Sequence, residues 1–189
     1  MTQSPSASTP LRIGVVGLGV MGKNHARVLS ELPGVVLAGV ADPDAAQVEF
    51  VTSRLGCPGF ASLEELMDAG VDALTIAAPT QLHTPIALAA IARGIHVLVE
   101  KPIAQSVEEG RRIIEAAEKA GVTLMIGHVE RFNPAVQSIR QAIAGDDILS
   151  IQITRVGPFP PRMSDIGVVI DLAVHDIDLI RWFTGSEIA

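Results

Sequence analysis

The chain of 189 residues carries 14 basic and 21 acidic side chains, for a net charge of −7, and 48% of its residues are hydrophobic. The acidic balance argues against a nucleic-acid surface, no apolar run is long enough to span a membrane, and a single cysteine excludes an intrachain disulfide. The length allows one large domain, or one domain and part of another, and the cysteine usage indicates a reducing cytoplasm.

The first ten residues are rich in Ser, Thr and Pro and lack the basic and apolar regions of a signal peptide. Residues 1–10 are therefore predicted to be a disordered leader. From residue 11 onward, apolar runs alternate with helical patterns. This order is typical of an α/β protein, and it predicts a Rossmann-type doubly wound parallel sheet with helices on both faces over residues 11–127.

Short apolar runs predict five buried strands in this domain, over residues 11–16, 35–41, 72–78, 95–99 and 122–126. Helical patterns follow the strands, over residues 23–29, 44–55, 62–67, 84–92 and 106–120. Ser62 and Ser106 are predicted N-caps, and Glu65 stands where a capping box needs it. Gly56 and Gly121 are predicted to end their helices.

The regular alternation of predicted strands and helices ends around Gly127. A helix is predicted from Asn133 to Ala144, a weakly alternating strand within residues 147–156, and a further helix over residues 168–183. One strand and one helix after it do not make a stable second domain. Either the last helix packs on the first domain, or residues 128–189 are part of a longer α+β unit, in which the exposed strand would favour pairing with another chain.

A glycine motif, Gly17-x-Gly19-x-x-Gly22, lies between the first predicted strand and the first helix, and Asp42 ends the second strand. Gly17 allows a sharp turn, Gly19 lets a pyrophosphate approach the backbone, and Gly22 lets the helix pack close to the sheet. With the acid about 20 residues on, this order is the fingerprint of a dinucleotide site. The alternative is a glycine-rich turn of another α/β domain in which Asp42 only caps the next helix.

The cofactor predicted from this motif is NAD. Asp42 accepts hydrogen bonds from ribose hydroxyls and repels a 2′-phosphate, and no Arg or Lys follows it in residues 43–46. The helix that begins after the glycines offers free N–H groups to the phosphates, so Val20 and Met21 are counted among the cofactor contacts.

Two further segments follow strands and therefore face the same crevice. Ala78-Pro79-Thr80 and His83 are predicted to contact the ribose or nicotinamide, although His83 is otherwise simply a polar residue near a helix start. Glu100-Lys101 follows the next strand, where Lys101 is placed to meet a substrate hydroxyl. Alternatively, Lys101 is an ordinary loop lysine paired to Glu100.

Asp171 and His175 are spaced i, i+4 and so share one face of the last predicted helix. The carboxylate would orient the imidazole, which exchanges a proton near neutral pH. Alternatively, they are a surface pair. The nearby Asp176, Asp178 and Arg181 are interpreted as structural partners, and no metal site is predicted because no third ligand has a suitable spacing.

Together these motifs resemble the family of glucose–fructose oxidoreductase, inositol dehydrogenase and rhizopine-type dehydrogenases, Gfo/Idh/MocA. The resemblance implies that Lys101 hydrogen-bonds the reacting hydroxyl, that His175 is the general base as hydride leaves the same carbon, and that Asp171 positions the substrate or His175. It also implies a cis peptide bond between Lys101 and Pro102.

A finer resemblance is to the UDP-N-acetylglucosamine 3-dehydrogenases of this family. It is carried by residues 21–27, 127–134, 155–162 and 171–178. It implies a UDP-amino sugar oxidised at C3, with Arg155 and Arg162 as candidates for the diphosphate; otherwise both are surface arginines.

Two other functions stay open: an inositol or polyol dehydrogenase, and a protein that binds NAD without catalysis. Members of the family continue into an antiparallel sheet that covers the site and usually builds a dimer or tetramer. The resemblance therefore implies that residues 128–189 are the beginning of an incomplete α+β substrate and oligomerisation domain. A homo-oligomer is therefore expected for a full-length relative.

Overall fold

The structure is a computed structural model that describes residues 9–156 and 172–188. The chain forms two compact units, one up to Gly127 and one from His128 onward. In the part of the chain that the structure describes, no helix is long and apolar enough to cross a membrane.

The first unit is built on a sheet of six parallel strands in the order β3-β2-β1-β4-β5-β6. The strands are β1 (Leu11–Val16), β2 (Val35–Ala41), β3 (Gly59–Phe60), β4 (Ala73–Ile76), β5 (His96–Val99) and β6 (Leu124–Ile126). This order confirms the predicted doubly wound sheet, because the chain starts in the middle and winds outward in both directions. The five predicted strands are present, and β3 is an addition.

The helices of the first unit are α1 (Val20–Glu31), α2 (Ala45–Leu55), α3 (Leu63–Asp68), α4 (His83–Ala92) and α5 (Val107–Ala120). Ser62 and Ser106 cap α3 and α5 as predicted, and each accepts a hydrogen bond from the N–H three residues on. The Glu65 carboxylate accepts a hydrogen bond from the N–H of Ala61 and not from that of Ser62. The predicted capping box is therefore shifted by one residue at its N-terminal side.

Apolar side chains cover both faces of the sheet. One cluster, on the side of α3, α4 and α5, includes Leu66, Ile76 and Ile113, and the other, on the side of α1 and α2, includes Val15 and Val40. All five of these side chains are fully buried. Burial on both faces explains why the strand sequences are apolar runs rather than alternating patterns.

In the second unit, the structure describes two helices, α6 (Pro134–Ala142) and α7 (Val174–Thr184), and a short 3₁₀ turn, Val129–Phe132. The strand predicted within residues 147–156 is wrong: this stretch has no strand hydrogen bonding, and Leu149 is 96% exposed. Weak alternation alone does not form a strand, because backbone groups need a neighbouring strand to pair with. Residues 168–171 of the last predicted helix lie outside the described residues.

Candidate functional site

The carboxyl ends of β1, β2, β4 and β5 lie side by side at one edge of the sheet, because these strands are parallel neighbours. The segments that follow them are residues 17–22, 42–44, 78–80 and 100–102. All of the cofactor residues predicted from the sequence, except His83, lie in these segments. The fold therefore gathers them at one edge, where ligands of open α/β sheets bind.

Each glycine of the first segment has a steric reason. Gly17 has a φ of +84°, and a Cβ there would lie 2.6 Å from the backbone nitrogen of Ala78. A Cβ on Gly22 would collide with the carbonyl oxygen of Gly17. At Gly19, a Cβ would meet none of the described atoms within 4 Å, so this position borders open space.

The open space lies at the start of α1. Gly19 is the N-cap of α1, no side chain in the described ranges caps this end, and Val20 and Met21 are exposed beside it. The first backbone N–H groups of a helix lack intrahelical partners and carry a partial positive charge. A cradle without side chains at a helix N-terminus fits the pyrophosphate of a dinucleotide.

Asp42 does more than the sequence predicted. Its Oδ2 accepts a hydrogen bond of 2.6 Å from the N–H of Leu18, and its Oδ1 accepts one of 2.9 Å from the N–H of Asp44. The carboxylate thus ties the end of β2 to the glycine turn. A carboxylate has about four acceptor positions, so both oxygens still have capacity for ribose hydroxyls. Asp44, not Asp42, caps α2.

His83 is placed differently from the prediction. Its ring is 1% exposed, with Nε2 at 2.8 Å from the carbonyl oxygen of Ala78 and Nδ1 at 2.9 Å from that of Pro102. A neutral imidazole donates to one of these oxygens, and an imidazolium donates to both. The predicted contact with a ribose or nicotinamide is therefore replaced by a buried connection between two loops of the site.

Glu100 is also buried, with 7% exposure, and it is paired with a residue to which the sequence assigned no role. Nε2 of His25, on α1, lies 2.7 Å from Oε1 of Glu100, and Oε2 accepts a bond of 3.2 Å from the N–H of Lys101. Gly127 leaves room for this carboxylate, since a Cβ there would come within 3.0 Å of it. No sequence signal pointed to this pair, because its members are 75 residues apart.

The environment of Glu100 favours its charged form. Burial acts to raise the pKa of the carboxyl, but the hydrogen bond and charge of His25, together with the N–H and charge of Lys101, outweigh it. The pKa of Glu100 therefore lies below its ordinary value of 4.5. Lys101 itself is half-buried, and its peptide bond to Pro102 is cis, as the family resemblance implied.

In the second unit, His175 lies half-buried in the first turn of α7. Three residues on, Asp178 is 5% exposed and accepts two hydrogen bonds from Arg131, Nε to Oδ2 at 2.8 Å and Nη2 to Oδ1 at 2.5 Å. The hydrogen bond to Asp178 raises the pKa of the Arg131 guanidinium. Nδ1 of His128 lies 3.5 Å from the same carboxylate. The pair of Arg131 and Asp178 links α7 to the 3₁₀ turn Val129–Phe132.

Arg155 has a protein partner rather than an open guanidinium. Its Nη2 lies 2.8 Å from Oδ1 of Asp176, and the hydrogen bond raises the pKa of Arg155. The carboxylate of Asp176 thus occupies the guanidinium of Arg155, and the predicted diphosphate would have to compete with it. Arg162 and Asp171 lie outside the described residues, so their predicted roles stay predictions.

Comparison with known proteins finds a family model and individual relatives. Residues 11–128 match the Gfo/Idh/MocA model, described as an oxidoreductase family with an NAD-binding Rossmann fold. The chain is 39% identical over 177 residues to UDP-N-acetylglucosamine 3-dehydrogenase of Acidithiobacillus ferrooxidans, covering 94% of this chain and 55% of that protein. A solved structure of that dehydrogenase superposes with a TM-score of 0.83 at 37% identity, covering 94% of this chain and 57% of the other.

Inositol dehydrogenases are also similar. Inositol 2-dehydrogenase 4 of Saccharopolyspora erythraea is 34% identical over 186 residues, which cover 94% of this chain and 55% of that protein. The structure of scyllo-inositol dehydrogenase from Lactobacillus casei with NAD(H) and scyllo-inositol has a TM-score of 0.81 at 25% identity, covering 94% of this chain and 57% of the other. The chain thus spans somewhat more than half the length of the proteins it resembles.

Proposed function

The chain belongs to the Gfo/Idh/MocA oxidoreductase family, and from that premise we propose that it serves the NAD-dependent oxidation of a sugar hydroxyl. The substrate we propose is UDP-N-acetylglucosamine or a related UDP-amino sugar, oxidised at C3. The observation that carries this choice is the 39% identity, over 94% of the chain, to a dehydrogenase of that name.

The residues at the sheet edge suit NAD. The glycine turn and the N-terminus of α1 would hold the pyrophosphate, and Asp42 would accept hydrogen bonds from ribose hydroxyls. The segment 78–80 and the 100–101 pair border the same edge and would line the remainder of the cofactor site. When bound, NAD supplies the acceptor for a hydride from the substrate carbon.

The chain's own residues would handle the substrate proton. Lys101 is a donor with three N–H groups, so it would hydrogen-bond the reacting hydroxyl and hold it in place. His175 would take the hydroxyl proton, because an imidazole exchanges protons near neutral pH. Asp171 would position the substrate or His175. Replacing either Lys101 or His175 with Ala should abolish most turnover.

A second candidate is an inositol or polyol dehydrogenase, favoured by the 34% identity to an inositol 2-dehydrogenase. Both candidates require the same hydride chemistry, so the substrate must be tested directly. The distinguishing feature of the first is a nucleoside diphosphate on the sugar.

Calorimetry on the chain preloaded with NADH tests the proposal. Saturable binding of UDP-N-acetylglucosamine, with myo-inositol giving no heat, would support the nucleotide-sugar function. Binding of myo-inositol alone would select the second candidate. Binding of NADH with neither sugar bound, in a chain that also fails to transfer hydride, would contradict both.

A further inference from the structure

His25 stands out among the described residues because the proposed chemistry gives it no task, yet it contacts the loop that carries Lys101. It lies on α1, three residues after Gly22 of the glycine motif. Its partner, Glu100, directly precedes Lys101 in the chain. One side chain therefore connects the helix that begins at the cofactor edge with the loop of the proposed substrate lysine.

The contact between His25 and Glu100 is short and largely shielded from solvent. The Glu100 side chain is 9% exposed and that of His25 is 20% exposed, and their Nε2–Oε1 distance is 2.7 Å. A hydrogen bond to a buried carboxylate is stronger than one in water, and losing it leaves one oxygen of a buried charge without its donor. The absence of a side chain at Gly127 keeps the carboxylate in place, since a larger residue there would push against it.

The second carboxylate oxygen of Glu100 binds the backbone of Lys101. Oε2 accepts the N–H of Lys101 at 3.2 Å, so the carboxylate is fixed by His25 on one oxygen and holds the lysine backbone with the other. Among the described residues, the charged groups that act on Glu100 are His25 and Lys101. Rotation of Glu100 away from His25 would release the backbone N–H that orients Lys101.

We propose that His25 is a positioning residue for Lys101 and acts through Glu100. Through this relay the helix that starts at the cofactor cradle and the lysine that would hold the substrate hydroxyl are fixed to each other. The role of Lys101 rests on the proposed function, whereas the relay itself rests on the contacts of His25 and Glu100. Misplacement of a reacting group by about 1 Å costs up to roughly a hundredfold in rate, so the relay would affect kcat.

The first test compares three variants of the full chain. His25→Ala removes the donor, and His25→Gln keeps an N–H of similar reach. His96→Ala is the matched control, because His96 accepts a backbone hydrogen bond from Thr123 at the opposite, amino end of β5. The primary readout is hydrogen exchange of the Lys101 backbone amide by NMR, which needs no substrate and no turnover.

We expect the Lys101 amide to exchange roughly tenfold faster or more in His25→Ala, since its acceptor is no longer held. His25→Gln should restore most of the protection, and His96→Ala should match the wild type. Equal exchange in His25→Ala and the wild type would overturn the relay. Equal loss in His96→Ala would do the same, because it would show a general loosening of the unit.

The second readout is hydride transfer with the substrate that the wild type accepts. His25→Ala should lower kcat by roughly ten- to a hundredfold with a smaller change in KM, and His25→Gln should recover most of kcat. A wild type without turnover would contradict the proposed function while the exchange experiment still decides the relay. A normal kcat in His25→Ala, with an active wild type, would remove His25 as a positioning residue.

Discussion

The two units of this chain are stabilised in different ways. Among the described residues, the first unit buries 21 apolar side chains, whereas the second buries one, Leu179. The described part of the second unit instead contains ion pairs, among them Arg131 with the buried carboxylate of Asp178. A unit with a core tolerates surface changes, while a unit fastened by charges depends on a few contacts.

The largest expected difference between the units is in the loss of unfolding free energy when a leucine is replaced with Ala. Leu66 is fully buried against positions 14 and 39, where glycines leave room for its methyl groups, whereas Leu149 is 96% exposed. Leu66→Ala should lower the free energy of unfolding by about 3 kcal/mol, because it leaves a cavity. Leu149→Ala should change it by less than about 0.5 kcal/mol. Urea denaturation of both variants measures this, and similar losses would refute the contrast.

The next effect tests the ionic character of the second unit. Arg131→Ala leaves the Asp178 carboxylate buried without its main donor and should cost about 2–3 kcal/mol. Arg155→Ala breaks the more exposed pair with Asp176 and should cost less than about 1 kcal/mol. Hydrogen exchange along α7 reports the change directly. Unchanged protection of α7 in Arg131→Ala would show that this pair does not fasten the helix.

The pH dependence of the first unit comes next. The pKa of Glu100 is lowered in the folded state, so its charged form stabilises the fold above the ordinary value of 4.5, and this contribution is lost as the pH falls through the folded pKa. Glu100→Gln should cost about 2 kcal/mol at neutral pH and progressively less below pH 4.5. Unfolding curves across this range check the sign. A cost that grows toward acid pH would contradict it.

The smallest effect concerns the cofactor. Asp42→Asn keeps one acceptor oxygen and removes the charge that opposes a 2′-phosphate. NAD affinity should fall about tenfold, because a hydrogen bond to a charged group is lost, while NADP affinity falls less or rises. Fluorescence titration with both reduced cofactors measures the ratio. Equal losses would mean that Asp42 acts only on the turn, through the N–H of Leu18.

The sequence predicted best what depends on nearby residues. The parallel sheet, the caps Ser62 and Ser106, and the glycine turn all follow from local patterns, and the structure confirms them. β3 was missed because two residues are too few to show a period. The strand predicted within 147–156 was wrong because alternation does not reveal whether a neighbouring strand exists.

Contacts between distant residues were beyond the sequence. The burial of His83 depends on the carbonyl of Pro102, 19 residues away, and the partner of Glu100 is 75 residues away. Asp178 was interpreted as a structural partner, but the sequence did not identify Arg131, 47 residues away, as the residue that binds it. Side chains that serve a site through another residue leave no spacing pattern of their own, so only the fold reveals them.

Transfer of an isotopic label tests the proposed function most directly. UDP-N-acetylglucosamine deuterated at C3 is incubated with the chain and NAD, and the NADH formed is examined by mass spectrometry. We expect deuterium to appear in NADH with the wild type and to be nearly absent with His175→Ala. Deuterium-free NADH, no reaction with both ligands bound, or equal transfer by His175→Ala would contradict the proposal.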